Sequence, residues 1–246
     1  MAPLFIINFN NLNFLKADRF GNLLLIESYT VTGGDTSRVQ FFNKNGDLIV
    51  TFNTDYRIQD IINDRDGNFY YVDDNCGIYK FSQNLNPVKI IQLESPSSFP
   101  ITIAKTNSNI FACYNQKIFK ISLSGILEDT FTYEPSSWLF GANKIIFSHN
   151  NKLFASYDTT PIRITKVALD STMYDEVQID LNQSSTTLRE MYSFNNKLYC
   201  RLSSDSIYEI DTTNNIATYL YSVPGLFYID QLGNNYSIEN EFVSGR

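Results

Sequence analysis

The chain has 246 residues, 43% of them hydrophobic and 18% charged, which is a globular composition with enough apolar content for a sizeable core. Its net charge is −7 and its Lys and Arg are scattered, as at Arg38, Lys44 and Arg57, so it lacks the basic footprint that phosphate backbones and anionic lipid surfaces require. No run of 18 apolar residues is present, and the first nine residues lack a basic region, so neither a membrane span nor a secretion signal is expected.

Aromatic residues make up 15% of the chain and no helical period is sustained, which points to strands. Residues 4–9, Leu-Phe-Ile-Ile-Asn-Phe, open the chain as an apolar stretch of strand character. Thereafter one unit recurs: a turn, then an apolar strand. Phe20-Gly-Asn22 precedes Leu23 to Ile26, Asp66-Gly-Asn68 precedes Phe69 to Val72, and Asn107-Ser-Asn109 precedes Ile110 to Cys113. The series continues with Asn150-Asn-Lys152 before Leu153, Asn195-Asn-Lys197 before Leu198, and Leu232-Gly-Asn234 before Asn235. Between the third turn residues the steps are 46, 41, 43, 45 and 37 residues.

A third strand repeats as well, at Val39 to Phe42, Ile78 to Phe81, Ile118 to Ile121, Ile164 to Val167 and Ile207 to Ile210. Fourth strands are expected over Leu48 to Phe52, Val88 to Leu93, Leu127 to Tyr133, Tyr174 to Ile179 and Ile216 to Tyr221. The unit that displays all four is Ile58 to Ile91, with first strand Ile58 to Asn63. A period near 43 residues with four strands predicts one all-β domain over 1–246, a six-bladed β-propeller of four-stranded antiparallel blades. The sixth unit has strands at Leu226 to Asp230 and Asn235 to Ile238 but little beyond. The N-terminal Leu4 to Phe9 is therefore expected to supply its fourth strand and close the ring, removing two sheet edges.

The blade pattern, Asp-x-x-Gly-Asn at Asp64 to Asn68, an apolar strand, Ile78-Tyr-Lys-Phe81 and then a turn, resembles the NHL and lactonase-like six-bladed propellers over essentially the whole chain. The Gly-His and Trp-Asp signatures of WD40 repeats are absent. Lactonase-like members hold a divalent metal in the central channel through acidic and Asn side chains. By that resemblance the metal candidates here are Asp18, Asp64, Glu190 and Asp230, and a divalent-metal hydrolase is one functional expectation. Asn63 to Asn68 also has oxygens spaced like the start of a calcium loop, without the closing Glu. A plain hairpin turn accounts for the same residues.

His149 is the single histidine, and no Gly-x-Ser-x-Gly or phosphate-cradling glycine loop occurs, so catalysis has little to work with and a chain without cofactor is the leading expectation. Cys76, Cys113 and Cys200 are odd in number and widely spaced, as expected of free thiols in a reducing, cytoplasmic setting. The segments from each fourth strand to the next first strand vary most and carry Tyr56, Phe99, Trp138, Phe140 and Phe227. These aromatics are the candidate contact patch for a protein partner, or else plugs between blades. The leading function is a non-catalytic interaction or structural module. A component of a larger viral or phage particle, assembled from the cytoplasm, stays open beside it.

Overall fold

A computed structural model describes residues 12–18, 20–32, 34–64, 66–82, 86–94, 101–114, 117–132, 144–147, 153–157, 163–167, 174–178, 187–194, 197–214, 216–223, 226–229 and 235–238. Every described regular element is a strand. The first sheet holds β1 (Leu12–Ala17), β2 (Leu23–Val31), β3 (Gly34–Phe42) and β4 (Leu48–Asn53), and the second holds β5 (Ile58–Asn63), β6 (Phe69–Asp73), β7 (Gly77–Phe81) and β8 (Val88–Gln92). The third comprises β9 (Thr102–Lys105), β10 (Asn109–Tyr114), β11 (Lys117–Ser122) and β12 (Leu127–Thr132). The fourth comprises β13 (Lys144–Phe147), β14 (Leu153–Tyr157), β15 (Arg163–Val167) and β16 (Tyr174–Gln178). The fifth has β17 (Leu188–Phe194), β18 (Lys197–Leu202), β19 (Ser206–Asp211) and β20 (Ile216–Ser222), and β21 (Leu226–Ile229) pairs with β22 (Asn235–Ile238). Each sheet is a meander in chain order, antiparallel throughout.

The second and fourth strands stand where the repeat placed them, within a residue or two. The first hairpin is longer than expected: β2 and β3 continue to Val31 and Gly34, beyond the four-residue runs the sequence displays. Polar pairs hold that extension, with Ser28 and Ser37 hydroxyls 3.0 Å apart and Thr30 Oγ1 donating to Asp35 Oδ1 at 2.6 Å. Such pairs contribute cross-strand contacts without an apolar pattern to announce them. The expected latch, residues 4–9, lies outside the described residues.

Successive sheets lie face to face, and the second shows why its sequence alternates as it does. Phe69 and Tyr71 of β6 pack with Leu24, Ile26, Val39 and Phe41 of the first sheet. Tyr70 and Val72 turn the other way, onto Ile103, Ile110, Ala112 and Tyr114 of the third. All five residues of β6 are buried, and the first four, Phe69 to Val72, are apolar in succession rather than at every second position. Rings fill the first gap closely: Phe41 meets Phe69 edge-on at 5.7 Å, and Phe69 stacks on Phe81 at 5.3 Å. The fourth and fifth sheets share Phe154, Ile164, Leu198, Cys200 and Ile210 in the same way. Another cluster joins Leu15, Ala17 and Leu25 of the first sheet to Tyr192 and Ile207 of the fifth.

The first strands of different sheets contact one another. β1 lies beside β5, β5 beside β9, β9 beside β13, β13 beside β17, β17 beside β21, and β21 beside β1. Side chains lock neighbouring members together. Asn63 Nδ2 donates to the Ala17 carbonyl at 2.9 Å, and the Asp60 carboxylate accepts from Ile103 N at 3.0 Å.

The turn after β11 shows how tightly adjacent sheets meet. Gly125 has φ +88°, and a Cβ there would lie 2.3 Å from the Ile90 carbonyl oxygen of β8. Both the backbone conformation and the contact exclude a side chain. Gly125→Ala is expected to lower unfolding stability by about 3 kcal/mol, read from urea denaturation. A loss below about 1 kcal/mol would show that this turn yields readily and does not set the approach of the two sheets.

Candidate functional site

The two ends of the sheets differ in construction. At one end, hairpin turns link first to second and third to fourth strands, and a side-chain oxygen at the head of each described turn gathers its amides. Asp18 Oδ1 accepts from Phe20 N and Asn22 N at 2.8 and 2.9 Å. Asp64 Oδ1 accepts from Asp66 N and Asn68 N, both at 2.9 Å. Thr106 Oγ1 takes the same part toward Ser108 N and Asn109 N, as Asn43 Oδ1 does toward Asn45 N and Asp47 N. These are Asx and Ser/Thr turns, in which the side chain replaces a backbone acceptor.

The calcium-like stretch is therefore a hairpin whose leading carboxylate is already engaged. Its other oxygen, Asp64 Oδ2, accepts from Tyr70 Oη at 3.1 Å and faces Lys105 Nζ at 3.6 Å. Lys105 also lies over the Tyr70 ring, 5.4 Å from its centroid. Burial, then the Asp64 charge, pushes the Tyr70 phenol well above its ordinary range. Lys105 belongs to the third sheet, so this ion pair is a second lock between neighbouring sheets.

Of the residues proposed from sequence as metal ligands, Asp18 and Asp64 occupy equivalent turns just past the ends of β1 and β5. Glu190 instead lies near the start of β17, four residues short of its end, roughly 13 Å along a strand. It accepts from Tyr192 Oη and faces Arg201 Nη1 at 3.8 Å. Arg201 is buried, and its Nη2 donates to Asp205 Oδ1 at 2.5 Å and to the Val223 carbonyl at 3.4 Å. Glu190 thus belongs to a network that ties the fifth sheet to the segment entering β21. Asp230 lies outside the described residues.

The other end carries the connections between sheets, and here Tyr56 stands 43% exposed. Its place is fixed from below: Thr54 Oγ1 donates to the Tyr56 carbonyl at 2.6 Å, and Thr54 N donates to Ser37 O at 2.9 Å. Around it lie the exposed Asp35, Asp55, Arg57 and Asp74. Beneath, Tyr71 and Tyr79 stack at 4.8 Å. The Tyr79 phenol is pushed up to about 12 by burial and then by the Asp73 charge. Burial also raises Asp73 above the usual carboxylate range, against hydrogen bonds from Gly77 N, Tyr79 and Asn75 N. Asp74 is raised by burial and by the neighbouring Asp35. This corner presents aromatic surface within negative charge.

Among the other aromatics singled out in the sequence, Phe227 is the second residue of β21 and so belongs to a strand rather than to a connecting loop. Phe99, Trp138 and Phe140 lie outside the described residues, as does His149. Sequence reading did not identify the Arg201, Glu190 and Asp205 network. An arginine inside the apolar run Leu198-Tyr-Cys-Arg-Leu202 was its one available signal.

No protein-family model matches the chain, and no curated protein matches it in sequence. Solved structures do. A protein of unknown function from Bacteroides thetaiotaomicron superposes with a TM-score of 0.65 at 11% identity, over 89% of this chain and 58% of that one. The WD40 domain of Neurospora crassa Pan2 gives 0.59 at 10% identity, over 94% of this chain and 86% of that one. A protein of unknown function from Bacteroides caccae gives 0.58 at 10% identity, covering 82% and 72%. The chain thus spans little more than half the length of the first of these. Likeness at this identity shows the fold alone, an all-β chain of propeller-like sheets.

Two outcomes follow from the carboxylates. Calcium at about 5 mM should leave the melting temperature unchanged, since the Asp64 oxygens are committed, whereas Asp64→Ala should cost about 2–4 kcal/mol through the freed turn amides, Tyr70 and Lys105. A calcium-dependent rise of several degrees would contradict this. The raised Asp73 means that the folded state holds its proton more tightly than the unfolded chain. Its contribution is complete below the ordinary carboxylate range and is lost as pH rises through the raised value. Asp73→Asn keeps an acceptor for Gly77 N but cannot ionise. Its stability relative to the parent should therefore increase from about pH 4 to about pH 7, measured as paired urea midpoints. A difference that is flat in pH would refute the assignment.

Proposed function

We propose that the chain is a closed six-bladed propeller that acts without chemistry of its own, as a rigid module docking a protein partner on the end that carries the connections between sheets. The observation that carries this reading is Tyr56: a large aromatic side chain standing exposed, among aspartates, on the irregular end, with its backbone carbonyl tied to Thr54 of the scaffold. Loops fixed by a rigid frame are where binding concentrates, and aromatic anchors dominate interface energetics. The cycle of first strands, with β21 beside β1, supports six blades and ring closure. So does the apolar cluster common to the first and fifth sheets. A closed ring leaves few edges, which suits a recognition scaffold. The Pan2 domain that superposes on this chain is named for WD40 repeats, a repeat class that forms propellers.

The partner's complementary surface is basic, by the net charge of −7 and the aspartates around Tyr56. A reducing compartment agrees with Cys76, Cys113 and Cys200, all buried and none in a disulfide among the described residues, the last two with thiols pushed up to about 12 by burial. Affinity capture from the source cells, with melting measured in parallel, tests the reading. Tyr56→Ala and Trp138→Ala are each expected to reduce a specifically captured protein about tenfold or more while melting stays within a few degrees. Full capture by both variants would move the docking face elsewhere. Lost capture accompanied by a large fall in melting would make the aromatics interblade plugs.

A further inference from the structure

The fourth strand of each described four-stranded sheet is an edge, and among the described residues no further strand pairs with its outer row of amides and carbonyls. Charges blunt three of these edges: Lys89 in β8, Glu128 and Asp129 in β12, and Asp175 and Glu176 in β16. β4 carries no charge but exposes large apolar side chains only at its head, Leu48 and Ile49, while Val50 and Phe52 pack on the core. β20, Ile-Ala-Thr-Tyr-Leu-Tyr-Ser over residues 216–222, is the longest of the five and is also uncharged. It exposes Ile216 by 55%, Tyr219 by 54%, and Leu220 and Tyr221 by 38% each.

The carboxylates nearest this edge are engaged inside the sheet. Glu209, opposite Thr218, faces Lys197 Nζ at 2.8 Å, and Asp211, opposite Ile216, accepts from Thr213 N and Asn214 Nδ2, both at 2.8 Å. Tyr219 is steadied from the same sheet: its ring meets Tyr208 edge-on at 5.6 Å, and its hydroxyl lies 3.3 Å from Ser222 Oγ. Leu220 is the extra residue of a bulge, since Tyr208 pairs with Tyr219 and Ile207 with Tyr221. β4, β8 and β12 carry a register shift against their third strands as well, so the bulge is common to these edges. What sets β20 apart is an uncharged length with large apolar side chains exposed along it.

We propose that β20 is the seam of a two-fold dimer, in which it pairs antiparallel with β20 of a second copy of this chain. An open strand edge selects an extended strand, because only an extended backbone presents amides and carbonyls at the matching spacing. The strand is complementary to itself. With Tyr219 at the centre, Ile216 stands opposite Ser222, Ala217 opposite Tyr221 and Thr218 opposite Leu220, a large side chain against a small one at every pair, while the two Tyr219 rings face each other. Pairing of identical strands about a two-fold axis uses the same surface on both copies and closes at two. Charge points the same way: two chains of −7 repel over most approaches, and an uncharged edge with its neighbouring carboxylates engaged is where they meet with least repulsion. A basic partner gains nothing at such an edge. The seam uses no residue of the Tyr56 corner, so it is independent of the docking reading above.

The test is sedimentation equilibrium of the full chain from about 1 to about 100 µM, with melting followed at the lowest concentration. A seam one strand wide is small beside the ~1,600 Å² of a standard interface, so a monomer–dimer equilibrium with Kd on the order of 10 µM is expected. Tyr219→Lys sets two like charges against each other and should weaken the dimer about tenfold, and Thr218→Lys, which leaves the tyrosines in place, should weaken it comparably. Val88→Lys, at an equally exposed position on the already charged β8, should leave it unchanged. All three should melt like the parent. Tyr219→Cys reads the register: the three native thiols are buried, so under diamide, which takes up the two thiol hydrogens, the new cysteine should form a disulfide with its own copy, and Val88→Cys should not. The proposal fails if the parent stays monomeric at the highest concentration, if it grows into open-ended oligomers, if Val88→Lys dissociates it as Tyr219→Lys does, or if both β20 variants associate like the parent. A monomeric parent from which Tyr219→Lys alone loses a captured protein would give the edge to another protein's strand and overturn the second copy as its occupant.

Discussion

The first and second sheets of this chain are each apolar on both faces and can be satisfied on neither alone; stacking against neighbours is the solution to that constraint. In the second sheet Phe69 and Tyr71 face one neighbour and Tyr70 and Val72 the other, so removing either neighbour uncovers half of a fully buried strand. At about 25 cal/mol per Å² of apolar surface, burial on both faces is the dominant stabilising contribution to the stack. It is also nondirectional. It brings sheets together without fixing how far one slides along the next.

Direction comes from a small set of polar contacts at the inner strands and turns. Asn63 to Ala17, Asp60 to Ile103 and Lys105 to Asp64 each run from one sheet to the next, and each has a partner within hydrogen-bonding or ion-pair distance. The first two satisfy backbone groups of the first strands that would otherwise be open to pairing. Gly125 against the Ile90 carbonyl adds a steric stop at the outer side. The chemistry a first reading of Asp64 suggests, cation binding, gives way to this architectural work because the residue's oxygens are filled from within the fold.

How much was legible in the chain divides along the same line. The recurring turn residues at Asn22, Asn68 and Asn109 marked the hairpins, because an Asx or Ser/Thr turn is a local event between residues two to four apart. The second and fourth strands were legible for a related reason: β6, buried on both faces, is continuous apolar sequence, and outer strands alternate. First strands such as β1, β9 and β17 were hard to see. Their polar residues, Asn13, Thr102 and Glu190, interrupt the pattern, and the bulges shift its phase within six or seven residues.

The sequence by itself determined an all-β chain, its repeat near 43 residues, the positions of its tight turns and its acidic, histidine-poor chemistry, all of which depend on residues close together in the chain. Only the tertiary structure decided which polar groups are engaged and by which partners. Asp64 meets Lys105 across 41 positions and Asn63 meets Ala17 across 46. Contacts of that separation are set by how whole sheets stack, and stacking is a property of paired surfaces that no single stretch of the chain contains.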